Sequence, residues 1–115
     1  MIDSMLMLYG FDTYCGVYHV EFYQRKSLVC DLVEPFRPLI DYEVRKAISL
    51  GQCKPEHFNV ADGAYLLDIR HNKDYLKFLS KPLMDRRMDI FSYVQSYYRA
   101  VMKKKTADKY PVFKV

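Results

Sequence analysis

Apolar residues return at helical spacing along much of this chain, and glycines, prolines and small polar residues mark where each run stops. Residues 2–9 (IDSMLMLY) read as turns of a helix that ends at Gly10. This helix opens without a capping or linker sequence, which points to a lost upstream partner. Residues 10–18 read as a loop with one helical turn, ending at His19, and residues 20–26 (VEFYQRK) as an exposed polar loop. Ser27 suits an N-cap. Leu28, Leu32, Phe36, Leu39, Ile40, Val44, Ala47 and Ile48 then recur at helical spacing through Leu50. Pro35 and Pro38 each remove a backbone donor from this run. The spacing therefore predicts one bent helix over 28–50, or two helices meeting near Phe36, closed by Gly51.

The next segment changes character. Asp62-Gly63 lies between two short apolar runs within residues 52–67, a turn signal that predicts a small hairpin. Asp68 or Asn72 then caps a helix that reaches about Leu83 and breaks near Pro82. The last helix has the clearest stripe: Ile90, Phe91, Val94, Tyr97, Tyr98, Val101 and Met102. Asp85 and Asp89 near its start and Lys103, Lys104 and Lys105 at its end suit the helix dipole. Residues 109–115, with Pro111, read as irregular. The expected fold is all-α: a single helical domain with at most one short β-hairpin near residues 58–67.

Composition narrows the class. At 115 residues the chain fits one small domain with a real core, and its 50% hydrophobic content excludes general disorder. Its 11 tyrosines and 7 phenylalanines predict buried rings with hydroxyls near polar partners. A net charge of +4 is compatible with nucleic acid without requiring it. Cys15, Cys30 and Cys53 are odd in number, widely spaced and without a CxxC pair, so they read as reduced thiols of a cytoplasmic protein. Residues 1–9 carry Asp3 and no basic flank, unlike a signal peptide, and no run approaches the length of a membrane span.

The stretch from Gly16 to Asp41 carries the candidate chemistry. Asp31 and Glu34 are three residues apart and share a helix face, which Pro38 and Asp41 continue. Residues 28–33 (LVCDLV) are apolar on every side of Asp31, so this turn reads as buried nearly all round, and a carboxylate there needs a partner. One imidazole, His19, and two carboxylates make a plausible set for a divalent ion acting on phosphates. Arg37, three residues after Glu34, offers the alternative of a structural ion pair without metal. Arg25 and Lys26 are candidate phosphate contacts, with Arg86, Arg87 and Arg99 as further candidates. Elsewhere the plain readings hold: His57 and His71 at the surface, Cys30 in the core, Tyr93, Tyr97 and Tyr98 as core rings with polar tips, and the lysine triplet as a solvated helix end.

Residues 10–41 resemble the C-terminal helical domain of the CRISPR-associated integrase, the nuclease of spacer acquisition. The residues that carry the likeness are Gly16-Val17-Tyr18-His19, then Ser27-Leu28-Val29-Cys30-Asp31-Leu32-Val33-Glu34-Pro35-Phe36-Arg37-Pro38, and Asp41. Thr13 stands where that family usually has proline. The resemblance implies a metal-dependent DNA endonuclease and integrase, in which a DNA 3′-hydroxyl attacks a phosphodiester. It implies His19, Asp31 and Glu34 as catalytic residues, with His19 and Glu34 holding Mg²⁺ or Mn²⁺ and Asp31 beside the site. Arg25, Lys26 and Arg37 become the DNA-binding candidates.

The same resemblance implies DNA as substrate (spacer precursor and CRISPR repeat), a small ferredoxin-like CRISPR adaptation subunit as partner, and a homodimer in the intact protein. The family's other metal-binding glutamate, from a helix upstream of the histidine, has no match here, and its N-terminal β-sandwich is absent. Residues 1–115 are therefore expected to form a partial catalytic domain, inactive alone. The alternative is a non-catalytic helical module that binds DNA or protein, with Glu34 paired to Arg37. A third reading is self-association through apolar surface.

Overall fold

The computed structural model describes residues 1–114. Val115, the end of the segment expected to be irregular, lies outside the described residues. The chain forms α1 (Ile2–Leu8), α2 (Ser27–Val33), α3 (Arg37–Ser49), β1 (Phe58–Ala61), β2 (Ala64–Leu67), α4 (Asn72–Asp85) and α5 (Arg87–Met102), joined by loops and short 3-10 turns. It is predominantly helical with one short hairpin, as its periodicity predicts. No helix among the described residues is long and apolar enough to cross a membrane. Two compact units divide it, one from Met1–Arg37 and Arg86–Val115, the other from Pro38–Asp85.

In the first unit α1 packs on both α2 and α5. Ile2 and Leu6 of α1, Leu28 and Leu32 of α2, Phe36, and Ile90, Val94, Tyr97 and Ala100 of α5 are its buried hydrophobic residues. Burying each large aliphatic side chain contributes about 1.5–3 kcal/mol. Aromatic rings close the edges: Tyr9 stacks on Tyr98 at 4.6 Å, Phe36 meets Tyr93 and Phe113, and Tyr97 meets Tyr110. α1 ends as expected. Gly10 takes φ 77°, its N–H bonds to the Met7 carbonyl, and the Phe11 N–H reaches back to Leu6. This paired closure needs a left-handed residue after the helix, which glycine adopts without steric cost.

The N-terminus of α2 differs from expectation. Ser27 is not its N-cap; it is the first helical residue, fully buried, and its hydroxyl donates to the Val20 carbonyl at 3.2 Å. The loop before it folds back over the helix start, and the Thr13 carbonyl accepts the Leu28 N–H at 3.1 Å. Loop backbone thus serves a helix end that a capping side chain was expected to serve. Nor is α2 buried all round, since Val33 is exposed and Val29 and Cys30 are only half-buried.

The helical run breaks near Phe36, as the prolines dictate. Pro35 and Pro38 cannot donate to the carbonyls four residues earlier, and Glu34–Phe36 tightens into a 3-10 turn in which the Arg37 N–H bonds to the Glu34 carbonyl.

The second unit holds α3, the hairpin and α4. β1 and β2 pair antiparallel, with Phe58 opposite Leu67 and Ala61 opposite Ala64. Asp62 and Gly63 both have positive φ, 49° and 75°, the geometry a two-residue hairpin turn requires. Asp68 caps the short turn Ile69–His71 by accepting the Arg70 N–H. Asn72 then begins α4, which runs through Pro82 to Asp85 instead of breaking there. Proline removes one ladder donor and bends a helix without always ending it. Asp85 accordingly closes α4, and Asp89 alone serves the first turn of α5.

His57 and His71 are half-buried and not at the surface. Their rings stack at 4.0 Å, and His57 Nδ1 shares a hydrogen with the buried Tyr75 hydroxyl at 2.9 Å. Burial pushes that hydroxyl above its ordinary pKa, helped by a hydrogen bond with Cys53.

Candidate metal centre

Asp31 sits on the second turn of α2 and reaches into the 16–19 loop. Its Oδ2 accepts the backbone N–H groups of Val17 at 2.6 Å and Tyr18 at 3.0 Å. Its Oδ1 accepts the His19 N–H at 2.9 Å and the His19 ring Nδ1 at 2.5 Å. Three successive amides and one imidazole therefore converge on a carboxylate that is 8% exposed. Gly16 makes the approach possible. A Cβ there would lie 2.6 Å from the His19 carbonyl oxygen, 2.7 Å from Ser27 Cβ and 3.1 Å from Asp31 Oδ2.

Opposing forces set the charge of Asp31. Burial raises its pKa, and the hydrogen bonds from Tyr18, His19 and Val17 together outweigh that, leaving the group at about 2. The carboxylate is therefore ionised at neutral pH and can only accept. It follows that His19 Nδ1 carries the hydrogen, and the neutral ring's lone pair resides on Nε2. A carboxylate that fixes one ring nitrogen so that the other can ligate is the usual arrangement behind a metal-binding histidine.

Glu34 lies just past α2, where the 3-10 turn begins. Its two oxygens lie 3.0 Å and 3.3 Å from Arg37 Nη1, with the carboxylate 44% and the guanidinium 64% exposed. An ion pair this exposed contributes about 0–1 kcal/mol. Tyr18, His19, Asp31, Glu34, Pro35 and Arg37 line one surface depression. The residues singled out from sequence as His19, Asp31, Glu34 and Arg37 are thus brought together.

Arg25, Lys26 and Asp41 do not line it. Arg25 donates to the Val20 carbonyl and lies over the Phe22 ring. Lys26 Nζ bonds Asp3 at 2.6 Å, which raises the lysine's pKa. Asp41 is exposed on α3.

The donors suit a hard or borderline divalent ion: one imidazole nitrogen held in the ligating tautomer, and one solvent-accessible carboxylate. Among the described residues no three His, Cys, Asp or Glu side chains converge in a group that holds a metal. His19 Nε2 and the Glu34 carboxylate are therefore the two candidate donor groups on this depression, and Arg37 engages the second of them. Sequence reasoning asked for a cation beside Asp31 and missed the backbone amides of 17–19. The only signal of them was the glycine in Gly16-Val17-Tyr18-His19.

Comparison with known proteins adds to this geometry. Residues 1–81 match the family described as CRISPR associated protein Cas1. Over 92 residues the chain is 36% identical to a CRISPR-associated exonuclease Cas4/endonuclease Cas1 fusion of Geobacter sulfurreducens, an alignment covering 78% of this chain and 16% of that protein. It is 40% identical over 73 residues to CRISPR-associated endonuclease Cas1 1 of Thermodesulfovibrio yellowstonii, covering 61% of this chain and 23% of the relative. It is 31% identical over 70 residues to CRISPR-associated protein Cas1 3 of Methanobrevibacter ruminantium, covering 60% of this chain and 21% of the relative. The chain thus spans less than a quarter of the length of each of these relatives.

Proposed function

Because this chain belongs to the Cas1 family of CRISPR-associated proteins, we propose that it carries part of the active site of a metal-dependent DNA endonuclease and integrase of spacer acquisition. The observation that carries this reading is the Asp31–His19 pair. The ionised carboxylate holds the ring through Nδ1 and leaves Nε2 as its donor atom, on a depression that Glu34 also lines. His19 and Glu34 would hold Mg²⁺ or Mn²⁺, and Asp31 positions His19 without ligating. When bound, the ion supplies Lewis acidity toward a phosphodiester and stabilises charge on the attacking or leaving oxygen. Arg37, which lines the same depression, would hold a DNA phosphate once it leaves Glu34.

In this reading the substrate is DNA, with the spacer precursor and the CRISPR repeat as the two strands joined. The partners are a ferredoxin-like adaptation subunit and a second copy in the intact protein, working in the cytoplasm. A set of two donors binds a divalent ion weakly, so this chain alone should cut DNA poorly. Calorimetry with Mn²⁺ tests the assignment. His19→Ala and Glu34→Ala should each abolish the binding that the parent chain shows. Equal binding by all three proteins would overturn it, as would robust magnesium-dependent cutting of branched DNA by both variants.

The second reading is a non-catalytic helical module that binds DNA or protein. The contact of both Glu34 oxygens with Arg37 favours it, since that pair satisfies both charges without metal.

A further inference from the structure

The loop between α1 and α2 carries a cavity with a chemistry of its own. It measures about 450 Å³ and shares no lining residue with the depression at His19. Three rings, Tyr14, Phe22 and Tyr23, two carboxylates, Asp12 and Glu21, and a thiol form its wall, with no Lys, Arg or His among them. The rings are 50%, 70% and 84% exposed, so they are not core packing. The Tyr14 N–H bonds Asp12 Oδ1 at 3.0 Å and fixes that carboxylate in a turn. Glu21 is exposed and its side chain has no hydrogen bond or ion pair among the described residues. The neighbouring cations are held elsewhere: Lys26 Nζ by Asp3 at 2.6 Å, and the Arg25 guanidinium by the Val20 carbonyl. Arg25 also lies over the Phe22 ring, 5.6 Å from its centroid, without lining the cavity, so this ring already serves as a platform for a cation.

We propose that this cavity binds a free organic dication of the polyamine class. Aromatic walls attract an ammonium through the ring quadrupole, and tyrosine hydroxyls and carboxylates accept its N–H groups. Among the described residues no three His, Cys, Asp or Glu side chains converge to hold a metal, so the acids and the thiol of this wall do not form a metal site. Two carboxylates answer two ammonium charges, whereas a single Lys or Arg side chain would leave one of them unanswered. The volume is that of a small-molecule site, about 300–1,000 Å³. Neither the metal centre nor DNA enters this assignment.

Calorimetry at low ionic strength tests this with the 115-residue chain and putrescine, with butylammonium and Nα-acetyl-lysine amide as single-charge probes. Putrescine should bind about fivefold more tightly than either monocation. Asp12→Asn/Glu21→Gln removes both charges and keeps an acceptor for the Tyr14 N–H; it should weaken putrescine binding about tenfold. Phe22→Leu should weaken it about two- to fivefold, the loss of one exposed cation–π contact. Glu56→Gln/Asp108→Asn, an equal charge change outside the cavity, and Glu34→Ala, at the depression, should both keep the parent affinity. All of these positions are exposed, so circular dichroism should report intact folding in every variant. Absence of putrescine binding to the parent chain would overturn the proposal. So would an equal loss in Glu56→Gln/Asp108→Asn, which would reduce the effect to net charge, or a loss in Glu34→Ala, which would place the dication at the depression. Equal affinity for Nα-acetyl-lysine amide would also overturn it, by making the occupant a protein side chain.

Discussion

Asp31 grips His19 at two points: one carboxylate oxygen accepts both the His19 backbone N–H, at 2.9 Å, and the ring Nδ1, at 2.5 Å. Two anchors on one residue fix the ring's position and its tautomer together. Asn at position 31 is nearly isosteric but turns one oxygen into an NH₂ donor, which would face either the Val17 and Tyr18 amides or the His19 amide and ring. Asp31→Asn should therefore destabilise the first unit by about 1–3 kcal/mol, since hydrogen bonds to a charged acceptor are lost and buried donors are left unpaired. Urea unfolding measures the loss. If Asp31 positions His19, Mn²⁺ affinity should fall at least about tenfold in the variant, whereas a purely structural carboxylate would leave the affinity of the folded fraction unchanged.

The same contact sets an acid limit. Folded Asp31 titrates at about 2 against an ordinary value of 3.8. The folded state prefers the ionised form, so this stabilisation is complete above the ordinary value and disappears as pH falls from about 4 toward about 2. Its size is on the order of 2 kcal/mol. Unfolding free energies across that window should drop more steeply for the parent than for Asp31→Asn, with the two profiles converging at the acid end. Asp68, held low chiefly by Arg70, contributes in the same direction to both proteins and cancels from the comparison. Parallel profiles would count against the amide cradle.

Gly16 is required for space. An alanine methyl would meet the His19 carbonyl oxygen and Ser27 Cβ well inside contact distance, and Ser27 is fully buried on α2 and cannot move aside. The loop must shift, and it carries His19 with it. We expect Gly16→Ala to cost about 1–3 kcal/mol, to lower the thermal midpoint, and to displace the His19 ring resonances in a heteronuclear spectrum. An unshifted His19 signal would mean that the loop has slack the structure does not show.

Legibility from sequence followed the range of the interactions. The stripe of α5, the turn at Asp62-Gly63 and the break before Arg37 depend on residues within a few positions of one another, and periodicity, turn chemistry and proline disclosed them. The motif from Ser27 to Pro38 was dense enough to disclose the family. Ser27 was misread because its partner, the Val20 carbonyl, arrives by a loop reversal that propensity does not encode. His57 and His71 were misread for a similar reason: they stack only because the hairpin and the turn before α4 bring them together. The amide cradle around Asp31 was invisible because it is made of backbone, and its one trace in the sequence is a glycine. Arg25 and Lys26 stood near the carboxylates in sequence, yet the Val20 carbonyl and Asp3 engage them.

Arg37 separates the two functional readings. Its guanidinium holds both Glu34 oxygens, so any ion that uses Glu34 must displace it. Removing Arg37 has opposite meanings in the two cases. If Glu34 is a ligand, Arg37→Ala frees the carboxylate and should tighten Mn²⁺ binding several-fold, while weakening DNA binding as one phosphate contact is lost. If the pair is only structural, Arg37→Ala should leave Mn²⁺ binding unchanged and cost no more than about 1 kcal/mol of stability, as an exposed i,i+3 pair would. The double variant Glu34→Ala/Arg37→Ala closes the cycle. A gain seen in Arg37→Ala and absent from the double variant would assign the effect to Glu34 itself and not to a general loss of positive charge at the rim.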